Sequence, residues 1–210
     1  MSYEYKKNLP KEILFATQND AKIKIMQSIL GNEYKILTLR DFGITSQVEE
    51  DGVDPKQNAL KKARLCFQNT GKTAFSSDFG FFIEGLKEER QPGASVKRII
   101  PISKEREPTD EEILEFYKKL VTELGGRVDA YWIRALACIS KDGEFLEEIK
   151  IPKKLVNISS KQRLKGFPIA SIQIDPITGK YECELTDEER ALSHKETDDA
   201  MRLFIEQNAG

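Results

Sequence analysis

The stretch Glu12–Lys22, EILFATQNDAK, constrains the fold of this 210-residue chain more than any other. It opens with the apolar run Ile13–Ala16, whose length and composition are typical of a buried strand. Polar residues follow, and apolar residues then recur at helical spacing up to Gly31, which predicts a helix ending at a glycine cap. A strand, a polar loop and a helix N-terminus point backbone N–H groups at one place, where an anion can bind. Lys22 adds a positive charge there; an ordinary first strand followed by a solvated lysine is the alternative.

Composition excludes several classes of protein. The 33 basic and 35 acidic residues give a net charge of −2, whereas a general nucleic-acid binder carries a basic excess. The sequence has no apolar run of membrane-spanning length and no signal peptide, so we expect no membrane partner. Cys66, Cys138 and Cys183 are far apart, which favours a reduced, cytoplasmic protein. His194 stands alone, and a multi-histidine metal site is therefore excluded.

The first part of the chain alternates predicted strands and helices. A strand at Tyr34–Leu37 follows the first helix. Asp54 and Pro55 are typical of a helix start, and Gly71 of its end. A strand is predicted at Thr73–Ser77, stopped by Asp78-Phe79-Gly80, with Phe81–Ile83 as a candidate continuation of the sheet. Thr109 and Glu112 form a capping box that opens another helix.

The second part is richer in predicted strands. Ala130–Ser140 and Glu144–Ile151 flank an Asp-Gly turn and predict a hairpin. Further strands are predicted at 156–158 and 169–174, followed by a capping box at 186–189 and a helix at about 193–206. The predicted fold is one α/β domain, 1–210, with a central mixed sheet flanked by helices and a β-rich second lobe. Lobe 1 takes about 1–126 plus 186–210 and lobe 2 about 127–185, with the ligand cleft between them.

Candidate chemistry rests on acids and bases that stand at predicted strand ends and turns. Asp78 is notable among the acids, because it follows an apolar strand and precedes a glycine. Each of these side chains taken alone is typical of a solvated surface, and Phe167 alone is typical of a core residue. The candidates are the acids Glu49, Glu50, Asp78 and Glu84, and the bases Lys22, Lys62, Lys180, His194 and Lys195.

Together these motifs resemble those of the inosine triphosphate pyrophosphatase family, in the same order from about Ile13 to Phe204. The matching segments are FATQNDAK, EEDG followed by NALKKAR, SSDFG, PG with Arg98, GF, GK, and the C-terminal EL, EE and SH pairs. The resemblance implies a nucleoside triphosphate as substrate, Mg²⁺ as cofactor, hydrolysis to a monophosphate and pyrophosphate, and a homodimer.

The resemblance also implies roles for individual residues. Glu50 and Asp78 would hold Mg²⁺, and Asp78 would also activate the attacking water. Lys22, Lys62 and Lys180, with Thr17 and Asn19, would bind the phosphates. Phe167 would stack on the base, while His194 and Lys195 would meet its carbonyl edge.

Several positions depart from the family pattern, mostly near the base. The family usually has a glycine at the position of Gln18, an acid at that of Gln57 and a small hydroxyl residue at that of Phe79. It usually has an aspartate at the position of Ala170 and an arginine at that of Lys195. Three hypotheses therefore stay open. The first is a pyrophosphatase for inosine, deoxyinosine or xanthosine triphosphate, the second is the same chemistry on another base, and the third is a nucleotide-binding protein with little catalysis.

Overall fold

A six-stranded mixed sheet forms the centre of the computed structural model, which describes residues 10–44, 54–104 and 106–209. The strand order is β2-β1-β3-β4-β5-β6. The strands are β1 (Lys11–Phe15), β2 (Tyr34–Leu37), β3 (Ala74–Ile83), β4 (Arg127–Ser140), β5 (Gly143–Val156) and β6 (Gln173–Ile174). The α-helices are α1 (Asp20–Leu30), α2 (Pro55–Thr70), α3 (Asp110–Glu123) and α4 (Asp187–Asn208).

The pairing of the strands confirms the predicted α/β class. β1 lies parallel to both β2 and β3, and parallel neighbours need a crossover connection, which α1 and α2 provide. β4, β5 and β6, which lie in the part predicted to be β-rich, pair antiparallel, and β3 from the first part pairs antiparallel with β4. In the ranges that the structure describes, no helix has both the length and the hydropathy needed to cross a membrane.

Helix caps were the most accurate sequence signals. Asp54 caps α2 by accepting a hydrogen bond from the backbone of Lys56, and Gly71 ends the helix with a φ of 66°. The predicted capping boxes of Thr109 and Thr186 are both formed. The last box opens α4 at Asp187, so the prediction that this helix begins near residue 193 was wrong, and His194 lies inside the helix and not at its start.

The predicted stop of the strand at Asp78-Phe79-Gly80 was also wrong. β3 continues through these residues and spans ten residues in all, Ala74–Ile83. β4 pairs with every residue of that strand, from Ala74 to Ile83. Gly80 is needed for a different reason: a Cβ there would lie 2.9 Å from the ring of Pro55 at the start of α2. The glycine therefore permits close helix–sheet packing.

Two predicted strands in the second part were wrong or too long. Val156 is the last residue of β5, and residues 157–158 lie outside the strand. A short 3₁₀ helix occupies Pro168–Ser171, and only Gln173–Ile174 pairs with β5. Alternating apolar residues at 169–174 thus reflect burial of an irregular segment, which includes the buried Ile169 and Ile172.

Helices cover both faces of the sheet around β3 and β4. On one face, alanines of α2 pack against Ala135 and Ala137 of β4. On the other face, Phe75 and Leu136 contact α4, while Phe81 packs with residues of α3 further along the strand. The second face therefore carries two packing centres, one on each side of the middle of β3 and β4.

Candidate active site

A buried carboxylate in the middle of β3 is held by two side chains of α2. Asp78 is 5% exposed, and Lys62 Nζ donates a hydrogen bond to its Oδ1 at 2.9 Å. Asn58 Nδ2 donates to Oδ2 at 3.0 Å. The structure thus brings together two predicted site residues, Asp78 and Lys62, and adds Asn58. The missed signal was the i, i+4 spacing of Asn58 and Lys62, which places both on one face of a helix.

The donor set at Asp78 is compatible with a magnesium ion. A carboxylate offers about four lone-pair positions, and the bonds from Lys62 and Asn58 occupy one on each oxygen. Mg²⁺ in proteins is usually bound by one or two carboxylates together with substrate phosphates and water. Glu50, the second predicted ligand, lies outside the described residues. Within the described ranges no group of three or more acidic, histidine or cysteine side chains could hold a metal.

The loop between β1 and α1 has the local bonding of a helix start. Thr17 Oγ1 accepts a hydrogen bond from the backbone N–H of Asn19 at 3.2 Å, and Asn19 Oδ1 accepts one from that of Lys22 at 3.3 Å. The backbone of Ala16 donates to the carbonyl of Phe75 at 2.7 Å, which fixes the loop beside β3, three residues before Asp78. The predicted phosphate-binding segment and the predicted acid are therefore neighbours in the sheet.

A second buried cluster lies where β5, β6 and α4 meet. Lys153 Nζ is 3.1 Å from Asp175 and 2.7 Å from Glu182, and all three side chains are largely buried. Glu182 also faces Arg190 at 3.2 Å and His194 at 3.7 Å. Of this cluster the sequence predicted only His194. The missed signal was the alternation on β5, where a lysine takes an inward position between Ile151 and Leu155.

Both acids of this cluster have a lowered pKa. Burial alone would raise the pKa of Asp175, but hydrogen bonds from Ser193, from the backbone of Thr178 and from Lys153 outweigh it and bring the value to about 2. Burial likewise opposes ionisation of Glu182, and the neighbouring His194 and Lys153 outweigh it and lower its pKa. Both carboxylates are therefore charged at neutral pH, and Lys153 compensates them.

Three other predicted binding residues are Lys180, expected at the phosphates, and Lys195 and Phe167, expected at the base. Lys180 pairs with Glu189 of α4, and this bond lowers the pKa of Glu189. Lys195 pairs with Asp199 one turn further along α4, on an exposed part of the helix. Phe167 is 65% exposed. The role of Lys180 at the phosphates and those of Lys195 and Phe167 at the base stay predictions.

A mixed sheet flanked by helices, with a helix start after β1 and a buried acid–lysine pair on β3 and α2, defines the class as an α/β protein. The particular family follows from comparison of the sequence with known families. The profile of the Ham1 family matches residues 13–199, and the chain belongs to that family.

Individual relatives agree with this assignment. A protein from Thermoanaerobacter sp. named dITP/XTP pyrophosphatase is 27% identical over 194 residues, covering 91% of this chain and 94% of the relative. A protein of the same name from Nitratidesulfovibrio vulgaris is 28% identical over 200 residues, covering 92% and 94%. The solved structure of a HAM1 protein from Coxiella burnetii superposes with a TM-score of 0.75 at 22% identity, covering 93% of this chain and 98% of that one, which supports the fold.

Proposed function

We propose that this protein is a nucleoside-triphosphate pyrophosphatase that hydrolyses inosine, deoxyinosine and xanthosine triphosphates to the monophosphate and pyrophosphate. Membership of the Ham1 family and the names of relatives aligned over nearly their whole length support the reaction class. The observation that carries the proposal is the buried Asp78, held by Lys62 and Asn58 beside the phosphate-loop segment.

In the proposed reaction a water oxygen attacks the α-phosphorus, and the α–β bridging oxygen leaves with pyrophosphate. The Asp78 carboxylate orients that water and accepts its proton. Lys62 and Asn58 fix the carboxylate in one orientation, because each of its oxygens has its own donor. Mg²⁺, bound by Asp78 and Glu50, would neutralise charge on the phosphates. Phosphoryl transfer depends mainly on such positioning and charge neutralisation.

The N-terminus of α1 is proposed to bind the far end of the triphosphate. Thr17 and Asn19 hold the loop in shape through their bonds to backbone N–H groups, so that the remaining N–H groups of the first turn can face an anion. Lys22 adds a full positive charge at this helix end. Lys180 is proposed to join it after exchanging its partner Glu189 for phosphate.

The second hypothesis, the same chemistry on a different base, is favoured by one observation. The position where the family usually has an aspartate near the base is Ala170, which is buried in the 3₁₀ helix between Pro168 and Ser171. That position therefore offers no side-chain hydrogen bond to a base. The proposed roles of Phe167, His194 and Lys195 at the base apply under either hypothesis.

Pyrophosphate release from a panel of purine and pyrimidine triphosphates, with and without Mg²⁺, tests the proposal. We expect fastest turnover with ITP, dITP or XTP, and loss of activity on chelation. Asp78→Asn should lower kcat by roughly 10²- to 10⁴-fold, the usual contribution of a general base. Asp129→Asn, which changes an exposed acid on β4, is the matched control. Release from no nucleotide would contradict the reaction, and preference for another base would favour the second hypothesis.

Assembly can be measured on the same sample. We propose a homodimer, as the family resemblance implies, and sedimentation equilibrium at several protein concentrations would test it. A single species with the mass of one 24.0 kDa chain at all of them would contradict it.

A further inference from the structure

Arg134 is a buried arginine on the sheet face opposite α2. It stands on β4 directly opposite Phe79 of β3, one residue from Asp78. The residue is 8% exposed, and its Nη1 lies 3.1 Å from Asp198 of α4. The guanidinium lies 5.0 Å from the centre of the Phe79 ring, within cation–π range.

One edge of this guanidinium has no hydrogen-bond partner in the described part of the chain. Nη1 contacts Asp198 and the sulfur of Met201, whereas Nε is buried without a partner and Nη2 makes no hydrogen bond. Nε and Nη2 form the edge of an arginine that binds two neighbouring acceptors side by side. Because buried donors are nearly always satisfied in native proteins, an edge left open in this way points to an acceptor supplied from outside the chain.

The surroundings of this edge suit a planar ring. Phe79 and Trp132 lie on the same face, are both partly exposed, and meet edge to face at 6.5 Å between ring centres. Arg134 contacts α4 on one side, and Trp132 packs with Phe81 towards α3 on the other. The group therefore lies between the two packing centres of this face.

We propose that the Nε–Nη2 edge of Arg134 reads the O6 and N7 atoms of a 6-oxopurine base, an inference that rests on the proposed function and names a specificity residue for it. Asp198 balances the charge of Arg134, so a neutral pair of acceptors is a better match than a phosphate. Inosine and xanthine carry acceptors at both positions, whereas adenine carries an amino donor at position 6. Arg134 thereby supplies a planar fork at the base, where Lys195 offers only an exposed ammonium.

Binding of monophosphates tests this without requiring turnover. Calorimetry would compare IMP, 7-deaza-IMP, which lacks the N7 acceptor, and AMP on the wild type, Arg134→Met and Arg134→Lys. We expect the wild type to bind IMP roughly 5- to 100-fold more tightly than either analogue, the usual range for one bidentate contact. Both variants should lose that preference. Arg134→Lys should lose it although the positive charge is retained, because lysine lacks the planar fork. Arg64→Met, which removes a surface arginine paired with Glu144, should keep it.

The outcomes separate this inference from the proposed function. Equal binding of IMP and 7-deaza-IMP by the wild type, no binding of IMP, or the same N7 preference in Arg134→Lys as in the wild type, would overturn the role of Arg134. Melting curves identify a variant that does not fold, in which case the wild type and Arg134→Lys carry the comparison. Pyrophosphate release without N7 preference refutes the inference alone, and N7 preference without pyrophosphate release refutes the reaction alone.

Discussion

The ammonium group of Lys153 lies 2.7 Å from the carboxylate of Glu182, and this ion pair ties the segment before α4 to β5. The same ammonium binds Asp175, whose other oxygen accepts hydrogen bonds from the turn at Thr178. One buried cation thus anchors both ends of the segment that contains Lys180. The position of Lys180, which is proposed to bind phosphate, therefore depends on Lys153.

Lys153→Met should destabilise the protein strongly. It leaves two buried carboxylates without their cation, and breaking a buried pair in this way typically costs about 3–5 kcal/mol. The next residue offers a matched control, because Lys154 forms only an exposed pair with Asp129, and Lys154→Met should cost about 1 kcal/mol or less. Urea unfolding of both variants measures the difference. Equal losses would show that the buried cluster contributes nothing beyond a surface pair.

Acid should weaken the folded state partly through Asp175. Its folded pKa, about 2, lies below the ordinary value of 3.8, so ionised Asp175 stabilises the fold above pH 4, and that contribution is lost as the pH falls towards 2. The difference in free energy of unfolding between the wild type and Asp175→Asn should therefore shrink between pH 4 and pH 2. A difference that stays constant over this range would argue against a lowered pKa.

Lys62→Gln should impair turnover more than binding. The substitution removes the charge beside Asp78 and allows the carboxylate to rotate, so we expect kcat to fall by about 10²- to 10³-fold, as when a preorganised donor is removed. Lys56→Gln, on the same helix but paired with the exposed Glu148, is the control. Steady-state kinetics with the best triphosphate of the panel provide the measurement. Similar kcat values for the two variants would exclude a role for Lys62 in positioning Asp78.

Local signals predicted helices well and the end of β3 poorly. Asp54, Pro55 and Gly71 act through bonds within a few residues, and α2 has the predicted bounds. The sequence analysis placed the end of the strand at Asp78-Phe79-Gly80, because glycine favours turns. The contact of Gly80 with Pro55 and the full pairing of β3 with β4 involve residues distant in the sequence, which a local pattern cannot show.

The candidate site divides in the same way. Asp78 and Lys62 were predicted from motifs, and the structure places them in contact. Lys153 and Arg134 were missed, because a lysine or arginine in a strand is normally on the surface. Only the pairing register and the acids of other elements reveal that these two side chains are buried. Glu50 lies outside the described residues, and its role stays a prediction.

The contact between Gly80 and Pro55 can be tested by overpacking it. A Cβ at position 80 would lie 2.9 Å from Pro55 Cγ and the same distance from the Phe82 ring, so Gly80→Ala should cost about 1–3 kcal/mol. If the helix contact dominates, the cost should be smaller in a Pro55→Ala background, where the clashing ring is absent, and a double-mutant cycle measures that coupling. Because α2 also carries Lys62, the shift should lower kcat in Gly80→Ala and less so in the double variant. Additive effects on stability would instead assign the strain to Phe82, within β3 itself.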